Sequence, residues 1–310
     1  MTVVPDRLLG GLERAAASAS SHATAFGYLS GWRLVRLLPE PAARAVFARI
    51  ADRAYSANGK GVQRLRQNLA RVCPDADDAA LDRLTKAAMR SYLRYWCESF
   101  RLPSWATEDV VRRTRTVGEH RLREAYAAGT GVVVALPHMG NWDWAGAWAC
   151  ATGMPLATAA ERLKPERLYD DFVAYRSSLG MEILPAGDPS TFSRLVGWAE
   201  AGGFVCLLAD RDLSRSGVEV DLCGEAARMP RGPAALARRT GAPLIPATLA
   251  YVGDDLEITF HPEVPPADGD AGLVTMMQGV ADAFTTGFRA HPEDWHMLQK
   301  VFVADLGSGR

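Results

Sequence analysis

The chain has 310 residues, 48% hydrophobic and 23% charged, with a formal net charge of −1, an ordinary globular balance with ample material for a core. No apolar stretch is long enough to span a membrane, and no basic segment leads into an uninterrupted apolar run, so neither a spanning helix nor a secretory signal is expected. The five cysteines (Cys73, Cys97, Cys150, Cys206, Cys223) are scattered and form no CxxC, which suits reduced thiols in a cytosolic compartment and excludes a disulfide frame or a zinc site.

Charge is unevenly placed. Residues 1–72 carry eleven Arg or Lys against four acids, a balance of +7 that leaves about −8 for the remainder. A basic first quarter points to an anionic partner, nucleic acid or a membrane surface. Its pattern favours the membrane. In GYLSGWRLVRLLPE (27–40), Tyr28, Leu29, Trp32, Val35 and Leu38 recur at helical spacing with Arg33 and Arg36 among them. That is the composition of an interfacial helix, or of a helix packed on the protein body with a solvated basic face. Helical periodicity continues through 41–56, 61–72 and 78–101, broken by Pro39, Pro41, Pro74 and Pro103, so the first ~125 residues read as helical. Beyond them, strand-like runs at 131–137, 156–160, 181–185, 203–209, 243–252 and 256–261 alternate with helical runs at 143–153, 166–179, 190–201 and 231–240. This alternation predicts an α/β fold, a mostly parallel central sheet flanked by helices, with a helical N-terminal layer. GDD after residue 252 predicts a hairpin, and a helix over 271–290 precedes a Trp-containing tail. With no repeat and no low-complexity linker, residues 1–310 read as a single domain: a helical, membrane-facing part (1–125) and an α/β catalytic part (126–310).

In such sheets ligands bind beyond the carboxyl ends of the strands. His138 stands at one such end, in GVVVALPHMGNWD, and Asp210 at another, closing FVCLLAD; neighbouring parallel strands would bring them to one rim. The highly charged segment 210–221 follows at that rim and reads as a loop. HMGNWD (138–143) admits two readings. Along one regular helix, His138 and Asp143 would point apart. If Gly140 allows a sharp turn, Asn141 can cap the following helix, and Asp143 in its first turn can reach back to fix the His138 tautomer, making a general base. The bland reading keeps only the cap and the first-turn acid. Familiar motifs are absent: no GxSxG, no GxxxxGK[ST], and GTGVVV (129–134) opens a strand where a dinucleotide fingerprint closes one. His291 and His296 are five residues apart and would not share a helix face, so no metal is expected there. GPAALARRTG (232–241) reads as a packing helix with Pro233 at its start and Gly241 at its end.

His138-Met-Gly-Asn-Trp-Asp143 resembles the HxxxxD signature of glycerolipid and lipid A acyltransferases. The PEGTR-like block of the glycerolipid branch is absent, while QNLARVCP (67–74), GVVVALPHMGNWDWAG (131–146), LYDDFVAYRSSLGMEILP (168–185), LLADRD (207–212), GEAARMPRGPAALARRTGAPLIP (224–246) and HPEDWHMLQ (291–299) look like the lipid A biosynthesis acyltransferase family. AERLKPE (160–166) and DRDLSRSGVEVD (210–221) are similar to the actinobacterial branch that acylates phosphatidylinositol mannosides. The resemblance implies that His138 deprotonates a sugar hydroxyl that attacks an acyl-CoA thioester. Asp143 then supports the acceptor site or the histidine relay, and Asp210 contacts His138. Arg176 lies near the thioester and the CoA phosphates, for which a planar fork is suited, and Ser216 lines the CoA side. It further implies no metal and no cofactor beyond the co-substrate acyl-CoA, palmitoyl-CoA as the donor, a mannosylated phosphatidylinositol lipid as acceptor, no nucleic acid, and a peripheral position on an anionic membrane at the cytoplasmic face of the plasma membrane. Such chemistry calls for an elongated apolar pocket.

Overall fold

The computed structural model describes residues 35–162, 166–212 and 216–306. Most of the proposed interfacial segment, Tyr28, Leu29, Trp32 and Arg33 included, lies outside them. Three helices come first: α1 (Glu40–Ala57), α2 (Lys60–Val72) and α3 (Asp78–Arg101). Asp77 caps α3 through its side chain on the amide of Ala80. The apolar positions of these helices meet one another, with Ala51, Val62, Leu65, Leu69, Ala88 and Met89 forming one buried cluster.

The remainder alternates strands and helices: α4 (Thr107–Arg112), β1 (Thr114–Val117), α5 (Glu119–Ala127), β2 (Val132–Leu136), α6 (Trp142–Ala151), β3 (Leu156–Ala160), α7 (Glu166–Ser178), β4 (Glu182–Pro185), α8 (Thr191–Glu200) and β5 (Phe204–Leu208). Then come β6 (Val218–Leu222), β7 (Glu225–Met229), α9 (Gly232–Thr240), β8 (Leu244–Val252), β9 (Asp255–Phe260), α10 (Gly269–Ala290) and α11 (Val303–Leu306). Seven strands form one sheet in the order β1-β9-β8-β2-β5-β3-β4, parallel except where β8 meets β9. This is the expected α/β architecture. The β8–β9 turn is the expected hairpin, and α9 packs through Pro233, Ala234, Leu236 and Ala237.

Two expectations need correction. The first ~125 residues are not wholly helical, because Thr114–Val117 adds an edge strand parallel to β9. The charged stretch after Asp210 is not all loop, since Val218–Leu222 pairs antiparallel with Glu225–Met229 in a separate ribbon. In that ribbon the acids Glu219 and Asp221 are exposed while Val220 and Leu222 are buried, so the charges face water and the alternate residues face the core.

Both faces of the central strand β2 are covered, which explains its unbroken run of apolar residues. Val133 and Ala135 join the core made with α8, α9, α10 and the C-terminal segment, whereas Val132, Val134 and Leu136 join the core beneath α5 and α6. Two buried layers thus fix the height and direction of the strand that carries His138.

Candidate active site

β2 and β5 are neighbours in parallel register, Leu136 opposite Leu208. Two residues beyond each lie His138 and Asp210, so equal overhangs bring them together at the carboxyl rim. Asp210 is fully buried. Its Oδ1 meets His138 Nδ1 at 2.6 Å, and its Oδ2 accepts from the backbone amide of His138 at 3.0 Å and from Trp295 Nε1 at 2.9 Å. Burial works against ionisation of Asp210, but the His138 ring and these three donors outweigh it and hold the carboxyl below its ordinary range. An ionised Asp210 assigns the imidazole proton to Nδ1. Nε2 has no hydrogen-bond partner among the described residues, and the His138 side chain is 26% exposed. The arrangement is therefore an imidazole oriented through its Nδ1 contact, whose other nitrogen is open to a reactant.

The turn that follows is built as the sequence suggests. Gly140 has φ +55°, and a Cβ there would lie 2.9 Å from Leu249 Cβ, so both conformation and space require glycine. Asn141 caps α6, its Oδ1 accepting from the amide of Trp144 at 3.0 Å. Its Nδ2 donates to the buried Glu98 of α3 at 3.3 Å. Asp143 sits in the first turn of α6. Of the two tasks left open for it, acceptor site or histidine relay, it makes no hydrogen bond to His138 among the described residues; the contact with Nδ1 belongs to Asp210. The Asp143 carboxylate instead accepts from Arg176 Nε at 2.7 Å and from Tyr95 Oη at 3.0 Å. Arg176 is accordingly neither a surface residue nor a free fork for phosphate, because one edge of its guanidinium lies on Asp143. Pairing with the acid outweighs desolvation and raises the Arg176 pKa. Ser216 is exposed, two residues ahead of β6, outside this buried cluster.

The C-terminal segment holds the turn from behind. The amide of His296 donates to the carbonyl of His138 at 2.8 Å, the amide of Gly140 donates to the carbonyl of Asp294 at 2.9 Å, and Met139 bridges Trp295. In the sequence, DWH (294–296) stands out only as part of a block that looks like the family's, with no task attached to its residues. The only available signal was a tryptophan and a histidine in a short, otherwise irregular tail. Asp294 accepts from Ser91 Oγ and from the amide of Tyr251, and burial pushes its carboxyl up to about 6. Ser91 Oγ also meets His296 Nε2 at 2.9 Å; burial, reinforced by the nearby His138, pushes His296 down to about 3, so it stays neutral. Among the described residues, His291, Glu293 and Asp294 have ligand-type atoms within 4.8 Å of one another, but both Asp294 oxygens already hold donors.

Between α6 and the sheet runs a narrow apolar seam of about 20 Å³ lined by Leu136, Ala145, Gly146, Cys206, Leu249 and Phe260. No helix among the described residues is long and apolar enough to cross a membrane.

Residues 14–303 match the family model described as bacterial lipid A biosynthesis acyltransferase. A phosphatidylinositol mannoside acyltransferase of Mycolicibacterium smegmatis is 45% identical over 289 residues, covering 93% of this chain and 94% of the relative. A protein of the same name from Mycobacterium tuberculosis is 44% identical over 297 residues, covering 94% and 93%. Matches of this length and identity, on a chain whose sheet rim joins a histidine to a buried aspartate, make it a member of the bacterial lipid A biosynthesis acyltransferase family.

Proposed function

We propose that the protein transfers a long-chain acyl group from acyl-CoA, palmitoyl-CoA as the donor, to a mannose hydroxyl of a phosphatidylinositol mannoside, with His138 as general base. The observation that carries the reading is the two-point hold of Asp210 on His138, through ring and backbone. Nε2 takes the proton of the acceptor hydroxyl as its oxygen attacks the thioester carbonyl carbon. Asp210 stabilises the imidazolium that forms. The tetrahedral intermediate collapses with cleavage of the C–S bond, and the departing thiolate takes the proton back from Nε2. Proton and electron pair balance without a metal or a further cofactor.

Asp143 and Arg176 act as a rigid buried pair that fixes the acceptor side of the site, and Ser216 belongs to the donor side. The apolar seam is the path assigned to the acyl chain. Each methylene it buries contributes about 0.8 kcal/mol, and at its present width the seam must part from α6 to admit one. The mannolipid acceptor comes from the names of the relatives. The membrane reading, at the cytoplasmic face of the plasma membrane, rests on the basic N-terminal quarter and on α1, whose exposed Val46 and Ile50 lie beside exposed Arg49 and Arg53.

The test is mass spectrometry of products from palmitoyl-CoA with a panel of mannolipids, other glycolipids and lysophospholipids, for wild type and His138→Ala. Acylated phosphatidylinositol mannoside from wild type alone supports the reading. Undiminished turnover by His138→Ala refutes the mechanism, and acylation of another lipid in preference refutes the acceptor. Removal of residues 1–34 is expected to weaken sedimentation with anionic vesicles at low salt; unchanged sedimentation refutes the membrane role of that segment.

A further inference from the structure

From residue 131 to residue 149 the chain is buried at every position except His138 and Trp142. Their rings lie 5.4 Å apart, edge to face at 77°. Trp142 is the first residue of α6, a position the helix does not need filled by an aromatic, because Asn141 provides the cap. The indole is also held still. Tyr95 stacks on it at 3.9 Å and 27°, and the Tyr95 hydroxyl donates to Asp143, which Arg176 pins in turn. His296 stands 6.3 Å away, tilted by 58°. The result is a half-buried, immobilised indole beside the base. Leaving part of a large apolar ring in water is unfavourable, and a ligand that covers it recovers that free energy.

We propose that Trp142 is the platform on which the acceptor sugar ring rests, its C–H face against the indole, so that one hydroxyl reaches Nε2 of His138. This rests on the acyl-transfer reading above. The donor does not fit the same place. It meets His138 only through its thioester group, and its adenine is separated from that group by the whole pantetheine arm. A flat group that both covers Trp142 and offers a hydroxyl to His138 belongs to the acceptor. A sugar fits, since it carries an apolar C–H face and a rim of hydroxyls on one rigid ring. Asp143 thereby gains a task that its distance from the His138 relay left open: through Tyr95 it fixes the plane of the platform, as a positioning residue.

Steady-state kinetics of the full chain with palmitoyl-CoA and a mannosylated phosphatidylinositol test this. Trp142→Leu is expected to raise the acceptor KM about tenfold, the loss of one good stacking contact. The effect on kcat and on the palmitoyl-CoA KM should be much smaller, and Trp142→Phe should recover most of the loss. An unchanged acceptor KM in Trp142→Leu, a donor KM that rises instead, or a Phe variant no better than Leu overturns the platform. A second measurement needs neither turnover nor a variant. In saturation-transfer NMR with methyl α-mannoside, irradiating the aromatic protons of the wild type should transfer magnetisation to the ring C–H protons of the sugar. No transfer overturns the proposal, even where the Leu variant fails to fold. A wild type that makes no acylated mannolipid overturns the acyl-transfer reading instead, and the sugar contact is still decided by the NMR experiment.

Discussion

Replacing Asp210 by asparagine tests the His138–Asp210 pair with the least change of shape. Both hydrogen bonds on Oδ2, from the His138 amide at 3.0 Å and Trp295 Nε1 at 2.9 Å, can be kept by the single amide oxygen of Asn. The amide nitrogen then faces Nδ1, where Oδ1 stood at 2.6 Å. Two donors cannot share that contact, so Nδ1 becomes the acceptor and the ring proton moves to Nε2. The lone pair that removes the hydroxyl proton is gone, and so is the charge that stabilises the imidazolium. In Ser-His-Asp triads the same exchange lowers kcat by about 10⁴, which corresponds to roughly 5 kcal/mol of barrier. Stability should change far less, because a neutral amide is easier to bury than the carboxylate it replaces. Turnover is read as CoA thiol release from palmitoyl-CoA in the presence of acceptor. The tautomer is read from the ¹⁵N shifts of labelled histidine, assigned by comparison with His138→Gln. A variant within about tenfold of wild type, or one that is inactive while His138 keeps its proton on Nδ1, would refute the reasoning.

Three further outcomes follow from the same geometry. Asp143→Asn leaves the Arg176 guanidinium uncompensated in a buried site and should lower the unfolding free energy by about 3–5 kcal/mol; urea denaturation with a loss under about 1 kcal/mol would show the pair to be solvated. Gly140→Ala forces a side chain into φ +55° against Leu249, and a cost of about 2 kcal/mol with a fall in kcat is expected from chemical denaturation and turnover. His296 should make the fold acid-sensitive: its folded pKa of about 3 lies below the ordinary 6.5, so the unfolded chain binds the extra proton between these values. The stability it contributes is complete above pH 6.5 and is lost as pH falls, by about 2 kcal/mol at pH 5. Asp294, raised to about 6 from 3.8, has the opposite slope but is common to wild type and His296→Phe, so the difference between their denaturation curves at pH 7 and pH 5 isolates the histidine. A difference that does not change between the two pH values refutes this account.

The most legible parts of the chain were those whose signal is local and strong. VVVAL at β2 and FVCLL at β5 are unbroken apolar runs because both faces of the sheet are covered, and the polar residue two places past each end marked the rim. Asn141 and Gly140 were legible because capping and tight turns depend on one residue's own chemistry. TRTV at β1 and VEVDL at β6 were not. Each is short, lies outside the sheet centre, and carries charge on the face turned to water, so its composition matches that of a loop. The partner of Asp143 was the clearest failure. Spacing along the chain brought it near His138, whereas packing of α7 and α3 against α6 supplies Arg176 and Tyr95, from 33 and 48 residues away. Trp295 escaped for the same reason, at a separation of 85 residues from Asp210.

That separation bears on how the base is aligned. The histidine turn is complete only when residues 294–296 dock on it. Until then Asp210 lacks the indole donor and the carbonyl of His138 lacks its amide. Alignment of the base is therefore a tertiary property, set where segments far apart in the chain meet and not by the β2–α6 turn alone.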